Sequence, residues 1–318
     1  MRETELFLAV ARVTFLSARE KGILLKNLDN IKGLRLLSIE DICAIVGRRI
    51  RARSWDPDDI ERSVDRDIAA LSRYGIGWTS IENADYPPAL REIYDPPFVV
   101  FWRGDLPDPE QGAVAIVGTR MPTGTGAELA YRLGREFGEA GIAVVSGLAR
   151  GIDAAAHRGN VDALARSVAV IASGPDRVYP RCNARLAERL LDGGGCVLSE
   201  YPPGAEPLAW RFPARNRLIA GLARSVVVVE APERSGALIT ASFALDEGRD
   251  LYVGADCLGS TRAAGTRSLA ESGARAVKSA REVVADWYCA ERRVAGRWPK
   301  GARRGRQLAL DFENEMNA

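Results

Sequence analysis

The sequence predicts an α/β protein with a doubly wound, parallel sheet and a small helical domain before it. Two observations favour this fold class. Short apolar runs rich in β-branched residues recur from residue 113 onward, about 25 to 30 residues apart, the spacing of a strand–helix–strand unit. The runs are continuously apolar, which is typical of parallel strands covered by helices on both faces. The sheet domain is therefore placed at about residues 110 to 280.

The strands can be placed in chain order from these runs. An isolated first candidate, 98–102, follows a proline-rich stretch that marks the junction between domains. The later strands are predicted at 114–117, 142–145, 168–171, 195–198, 226–229 and 251–253. Helical periodicity lies between them at 127–140, 183–191, 214–223 and 237–247.

The first part of the chain contains apolar residues at helical spacing. Amphipathic helices are predicted at 6–21, 28–34 and 39–46, the last with Ser38 as its N-cap and Asp41 in its first turn. We therefore expect three regions. They are a small helical domain of the SAM or helix-hairpin-helix type (1–80), the sheet domain (81–285) and a tail (286–318).

Composition excludes several classes of protein. Hydrophobic residues make up 47% and charged residues 27%, which is ordinary for a globular protein and excludes wholesale disorder. The first residues are charged, and no run of 18 apolar residues occurs, so we expect a cytoplasmic protein without membrane contact. Five scattered cysteines and one histidine predict free thiols and no metal site.

The tail is basic although the net charge of the chain is only +2. It contains seven basic residues and no acidic residue between positions 292 and 306. These residues are Arg292, Arg293, Arg297, Lys300, Arg303, Arg304 and Arg306. Two interpretations stay open, a solvated segment that binds nothing and a segment that contacts nucleic acid or an acidic partner.

Four strands are each followed by a loop that combines glycine with arginine. The loops are 118–120, 146–151, 173–177 and 230–236. Glycine lets backbone amides approach an anion, a following helix N-terminus adds partial positive charge, and arginine can bind phosphate with two hydrogen bonds. Because ligands bind at the carboxyl ends of parallel strands, the loops predict a row of phosphate sites on one edge. Such a row suits a polyanion better than a single nucleotide.

Nucleotide enzymes are disfavoured by what these loops lack. Gly118 and Gly124 do not form the dinucleotide motif G-x-G-x-x-G, and the second strand ends in Ser146 where a ribose-binding acid would stand. No P-loop sequence G-x-x-x-x-G-K-[ST] is present. His157 lies four residues after Asp153 and is either a packing residue or a general base. We therefore predict no catalytic residue and no cofactor.

Arginines and aromatic residues are concentrated in the segment 210–222. Trp210 and Phe212 alternate there with Arg211, and Arg215, Asn216 and Arg217 follow on a predicted helix. Arginines that bind phosphates and rings that stack on bases are what a single strand requires. The alternative is a solvated helix end with Phe212 in the core.

The ordered motifs of residues 83–280 resemble the DprA/Smf family of DNA-processing proteins. The matching motifs are 86–90, 103–106, Val117-Gly118-Thr119-Arg120, 146–153 with His157, 178–180, 199–204, Phe212-Pro213 with Arg215-Asn216-Arg217, 233–240, 265–267 and 271–274. The resemblance implies an extended Rossmann-like fold whose doubly wound sheet is mostly parallel, and a homodimer. It also implies sequence-independent binding of single-stranded DNA and delivery of the strand to the RecA recombinase in natural transformation, without turnover.

Carried over by motif and by the segment 210–217, the DNA-binding residues would lie in four groups. They are Gly118, Thr119 and Arg120; Ser146, Gly147, Arg150 and Gly151; Arg211, Arg215, Asn216 and Arg217; and Ser235 and Gly236. The chain departs from the family pattern at 171–174 and 253–257, and we expect no winged-helix domain in the tail. A nucleotide hydrolase or a nucleotide-sensing module of the related fold stays the alternative.

Overall fold

The computed structural model describes residues 2–52, 54–106 and 112–295, and side chains at 3–52, 54–106 and 112–289. Within these residues the α-helices are α1 Arg2–Ala11, α2 Ala18–Lys26, α3 Ile31–Arg35, α4 Ile39–Val46, α5 Pro57–Tyr74, α6 Pro88–Arg91, α7 Gly124–Glu139, α8 Ile152–Asp162, α9 Ala184–Asp192, α10 Arg211–Leu222, α11 Gly236–Asp246, α12 Ala264–Glu271 and α13 Ala280–Ala295. The strands are β1 Gly77–Ser80, β2 Val99–Gly104, β3 Ala113–Val117, β4 Ala143–Ser146, β5 Ser167–Val170, β6 Cys196–Ser199, β7 Ser225–Val228, β8 Asp250–Gly254 and β9 Arg275–Val277.

The strands form one sheet in the order β1-β2-β6-β5-β4-β3-β7-β8-β9. All pairs from β6 to β9 are parallel, and β1 and β2 are antiparallel additions at one edge. The strand order reverses between β3 and β7, so the loops after these two strands diverge and leave a crevice. The predicted α/β class with a doubly wound, mostly parallel sheet is confirmed.

Both faces of the sheet are buried, which explains why its strands are continuously apolar. In β3, Val114 and Ile116 pack against α7 and α13, whereas Ala115 and Val117 face the core formed with α10 and α11. All four side chains are nearly inaccessible to solvent. Successive side chains of a strand point to opposite faces, so a strand between two helical layers must be apolar throughout.

The first helices differ from the prediction of one helix over residues 6–21. The structure has α1 and α2 there, because Ser17 starts a new helix as its N-cap and exchanges hydrogen bonds with Glu20 in a capping box. Arg12, in the break, donates two hydrogen bonds of 2.8 and 2.7 Å to Asp67 of α5. The predicted Ser38 cap of α4 is present. The break therefore turns a single predicted helix into a hairpin.

The helices α1 to α5 share a core with the antiparallel edge of the sheet. Phe7 of α1 stacks on Phe98 just before β2, with ring centroids 6.3 Å apart, and Phe101 of β2 belongs to the same cluster. The domain boundaries at residues 80 and 285 stay predictions. The predicted basic tail starts inside α13, and its residues from 296 onward lie outside the described part of the chain. No helix in the described part is long and apolar enough to span a bilayer.

Candidate nucleic-acid interface

The carboxyl ends of β3 and β7 open into a cavity of about 660 Å³ at the point where the strand order reverses. Seven of the predicted site residues line it. They are Gly118, Thr119, Arg120, Arg215, Asn216, Ser235 and Gly236. The other six do not line it: Ser146, Gly147, Arg150, Gly151, Arg211 and Arg217. The cavity therefore gathers the first and fourth predicted groups and half of the third, and no residue of the second group lines it.

The loop after β3 is held on both sides by its neighbours. The Thr119 amide donates to the Glu230 carbonyl at 2.7 Å, and the Thr119 carbonyl accepts from the Ile152 amide at 3.2 Å. A Cβ at Gly118 would lie 2.8 Å from the Glu230 carbonyl oxygen, so a side chain there would push the two loops apart. The loop thus ends in a fixed orientation at Arg120.

Arg120 is exposed at the mouth of the cavity, and its guanidinium carbon lies 5.5 Å from the centre of the Phe212 ring. The ring of Tyr179 meets Phe212 edge to face at 5.7 Å. No acidic partner of Arg120 is present among the described residues. A cation with free hydrogen-bond donors therefore lies directly beside an aromatic face.

The second loop supports the first from behind. Gly151 has a φ of 79°, and a Cβ there would lie 2.8 Å from the Arg120 carbonyl carbon and closer still to the Thr119 carbonyl oxygen. Ser146 is fully buried and donates a hydrogen bond of 2.6 Å to the Ile116 carbonyl. Arg150 is exposed and outside the cavity. Of the two side chains, those of Ser146 and Arg150, only that of Arg150 is available to a ligand.

Arg215 is buried under the second loop. Its Nη1 donates to the Gly147 carbonyl at 2.9 Å and to the Val170 carbonyl, and its Nε donates to Asn216 at 3.2 Å. Burial lowers the pKa of Arg215 to about 10, and the nearby Asp153 carboxylate opposes that shift. The guanidinium therefore ties the ends of β4 and β5 together and is charged at neutral pH.

Arg217 is also bound internally. It donates two hydrogen bonds, of 2.8 and 2.7 Å, to the Glu200 carboxylate and one of 2.8 Å to the Asp95 carbonyl. Such a bidentate pair fixes the position of both partners. Arg217 thereby anchors α10 to the loops after β6 and before β2.

The N-terminus of α11 forms the wall opposite Arg120. The Ser235 side chain caps this helix by accepting a hydrogen bond from the Ala237 amide. The Asn216 side-chain amide donates a hydrogen bond of 3.1 Å to the Gly236 carbonyl. Gly236 is exposed. The first amides of a helix carry partial positive charge, so this wall is suited to an anion.

The N-terminus of α7, in contrast, is already occupied by a carboxylate of the chain. Glu230 is fully buried and accepts a hydrogen bond of 2.7 Å from the Thr123 amide and others from the hydroxyls of Thr123 and Ser260. A Cβ on Gly126 would collide with this carboxylate. The position where the Rossmann fold usually binds a pyrophosphate is therefore filled by the protein itself.

His157 lies in the core between α8 and β5, away from solvent. It is hydrogen bonded through Nδ1 to Ser167 Oγ at 2.7 Å, and its Nε2 has no partner among the described residues. Burial lowers the pKa of His157 to about 3. The His157 side chain is thus neutral at physiological pH, and it is a packing residue, the first of the two roles that the sequence left open.

This burial gives a pH dependence of stability. Unfolded His157 binds a proton below a pH of 6.5 but native His157 only below about 3, so the free energy of unfolding should fall as pH falls through that interval. The contribution is at most about 1.4 kcal/mol per pH unit. We expect His157→Gln to show a flatter dependence of unfolding free energy on pH between 6.5 and 3 in urea titrations. Parallel curves for both proteins would contradict this account.

Sequence reasoning missed two residues of this site. Glu230 stands directly after an apolar strand and before a glycine loop, and an acid at that place is the signal that could have found it. Tyr179 was noticed only as part of a motif, since nothing in its surroundings indicates that its ring meets Phe212. The contact of Glu230 with Thr123 and the contact of Tyr179 with Phe212 both join residues more than 30 positions apart.

Comparisons with known proteins identify relatives of this chain. The family model of DNA recombination-mediator protein A matches residues 78–288. DNA processing protein DprA of Bacillus subtilis is 41% identical over 219 residues, 69% of this chain and 73% of that protein. The crystal structure of DprA from Streptococcus pneumoniae is 35% identical with a TM-score of 0.71, over 90% of this chain and 98% of that one.

A further solved structure concerns the single-stranded DNA binding mode of DNA processing protein A from Helicobacter pylori. It is 27% identical to this chain with a TM-score of 0.60, and the match covers 68% of this chain and 97% of the other. The family-model match thus covers the strands from β2 onward and the loops that build the cavity.

Proposed function

This chain belongs to the DNA recombination-mediator protein A family of DNA-processing proteins, and we propose that it binds single-stranded DNA at the carboxyl edge of its sheet. Binding is independent of base sequence, because the polar groups in the cavity wall are suited to phosphates and the rings can stack on any base. The protein carries out no chemical turnover.

One observation carries the proposal, the pair formed by Arg120 and Phe212. The guanidinium is exposed, lies 5.5 Å from the ring centre and has no acidic partner in the described part of the chain. A phosphate can be bound by Arg120 while the adjacent base stacks on Phe212, which are the two interactions that single-strand binding requires. The N-terminus of α11 supplies the opposite wall.

Exposed arginines continue along the same edge. Arg150 follows β4, Arg181 follows β5 and Arg234 follows β7, and none of them has an acidic partner among the described residues. Four unpaired cations on neighbouring loops, counting Arg120, suit a backbone that crosses several strands. A single mononucleotide would use only part of this row.

The predicted site residues divide into two roles in this proposal. Residues that are exposed or half-buried on this edge contact DNA: Gly118, Thr119, Arg120, Arg150, Ser235 and Gly236. Residues whose polar groups are bound internally, or whose backbone is packed behind the wall, position them: Ser146, Gly147, Gly151, Arg211, Arg215, Asn216 and Arg217. The division follows the hydrogen bonds of the buried side chains, such as those of Arg215 and Arg217.

The nucleotide hydrolase and nucleotide-sensing alternatives are disfavoured by Glu230. Its carboxylate accepts the Thr123 amide at the N-terminus of α7, so a nucleotide phosphate placed there would meet a negative charge. His157, the one histidine of the chain, is buried and hydrogen bonded to Ser167. No observation on the described residues favours catalysis over binding.

Further parts of the proposal rest on family membership. They are protection of single-stranded DNA, delivery of the bound strand to the RecA recombinase, a role in natural transformation, a homodimeric state and a cytoplasmic location. Delivery requires that the strand stays accessible, and an open sheet edge suits this better than an enclosed channel. The predicted basic tail would add a second, accessory contact.

We expect Arg120→Ala to weaken binding of single-stranded DNA by about 1–3 kcal/mol, because a charge-assisted phosphate contact is lost. The unfolding free energy of the Arg120→Ala variant should equal that of the wild type, since the Arg120 side chain is exposed. Arg166→Ala is the matched control, as Arg166 is exposed just before β5 at the opposite edge of the sheet. Fluorescence anisotropy with an oligothymidylate measures both. Equal losses in the two variants would show that net charge, not this site, determines binding.

A further inference from the structure

A second group of aromatic and cationic side chains lies next to the cavity. The ring of Trp210 meets the ring of Tyr201 edge to face, with centroids 6.1 Å apart. The guanidinium carbon of Arg211 lies 4.3 Å from the Tyr201 ring centre and 5.2 Å from that of Trp210. None of these three residues lines the cavity, although Ala209 and Phe212 on either side of them do.

Arg211 is fixed within this group. Its Nη1 donates a hydrogen bond of 2.8 Å to the Glu206 carbonyl, and its Nε is buried without a hydrogen-bond partner among the described residues. Burial also raises the pKa of Tyr201 to about 12, so this ring is neutral. The guanidinium therefore stiffens the two rings by cation–π contact.

Trp210 is the exposed member of the group, with 61% of its surface accessible. Single exposed apolar side chains are normal on a protein surface, so exposure alone means little. The position of Trp210 is what distinguishes it. It stands two residues before Phe212 at the start of α10, and its neighbour Arg211 holds it against Tyr201. An aromatic ring that is both exposed and held in place is prepared for a planar ligand.

We propose that Trp210 is a second base-stacking platform, on which the bound strand places a base next to the one stacked on Phe212. The inference rests on the proposed function and deepens it, because the site then takes at least two bases. A nucleobase fits better than an apolar peptide, since the platform is open and the cation Arg211 lies directly beside it. The strand would leave the cavity along the start of α10.

Three variants and two oligonucleotides test this platform. Trp210→Leu removes the ring, Trp210→Phe retains one, and Tyr74→Leu is the matched control, because Tyr74 is exposed and has Arg73 5.4 Å from its ring. The ligands are an oligothymidylate of about 20 nucleotides and an abasic strand of equal length. Affinities and the quenching of intrinsic tryptophan fluorescence are measured for each protein.

We expect Trp210→Leu to bind the oligothymidylate roughly 5- to 100-fold more weakly, with little change for Trp210→Phe and none for Tyr74→Leu. All proteins should bind the abasic strand equally. Oligothymidylate should quench the wild type more than Trp210→Phe.

Unchanged affinity of Trp210→Leu for the oligothymidylate, or an equal loss with the abasic strand, would overturn the platform. Arg120→Ala separates this from a failure of the proposed function. If Arg120→Ala weakens binding and Trp210→Leu does not, the edge binds DNA without a second platform. If neither variant changes the affinity, the proposal that single-stranded DNA binds at this edge of the sheet is wrong.

Discussion

Replacing Gly151 by alanine is expected to destabilise the protein by about 2–5 kcal/mol and to weaken single-strand binding at least as much as Arg120→Ala does. Two costs combine. An L-residue is strained at the φ of 79°, and its Cβ would lie 2.8 Å from the Arg120 carbonyl carbon. The only relief is to move the loop after β3, which displaces Arg120. Urea unfolding measures the first effect and anisotropy with oligothymidylate the second.

Gly47→Ala is the reference for a positive φ without a close contact, and it differs from Gly151 in ψ, which is 20° at Gly47 and −125° at Gly151. Gly47 ends α4 with a φ of 74°, and a Cβ there would meet nothing within 4 Å. This substitution should cost only about 1 kcal/mol, the strain of the left-handed conformation. If the two variants lose equal stability, the close approach of the two loops is not what requires glycine at position 151.

Replacing Arg215 by methionine should have the largest effect of any substitution at the site, about 3–5 kcal/mol in unfolding free energy. The change leaves the Gly147 and Val170 carbonyls without their donor. Burial raises the pKa of the Asp153 carboxyl, and the change also removes the Arg215 cation that opposes this shift. Binding of single-stranded DNA should fall as well, since Gly147 belongs to the second loop.

A double variant separates the carboxylate from the carbonyls. In Arg215→Met/Asp153→Asn no buried carboxylate is left without its cation, so the double variant should be more stable than the sum of the single effects predicts. Urea unfolding of the four proteins gives this coupling energy. If Arg215→Met is as stable as the wild type and loses only DNA binding, Arg215 contacts phosphate and does not position the loops.

The apolar runs predicted seven strands because those strands are buried on both faces. The pattern missed β1 and β9, whose sequences contain Gly77 and Arg275 and which lie at the two edges of the sheet. Edge strands have fewer neighbours, so their side chains are less constrained to be apolar. The break at Ser17 was missed for a different reason, because apolar residues continue across it at helical spacing.

The glycine and arginine loops predicted where the site lies but not which arginines are free. Arg120 and Arg217 were both predicted to bind DNA, yet Arg120 is exposed whereas Arg217 binds Glu200, 17 residues earlier in the chain. Such pairing depends on how α10 packs against the loop after β6. A single sequence contains no local signal for it, so motif matching cannot separate contacting from positioning residues.

Glu230 has a further consequence for how the edge meets its ligand. Many phosphate-binding loops become ordered only when an anion reaches the helix N-terminus that they surround. Here the Glu230 side chain occupies that helix N-terminus by accepting hydrogen bonds from the amide and the hydroxyl of Thr123, so the protein itself holds the loop in place. The entropic cost of ordering this loop therefore falls in folding and not in binding. An arriving DNA strand meets a preorganised surface.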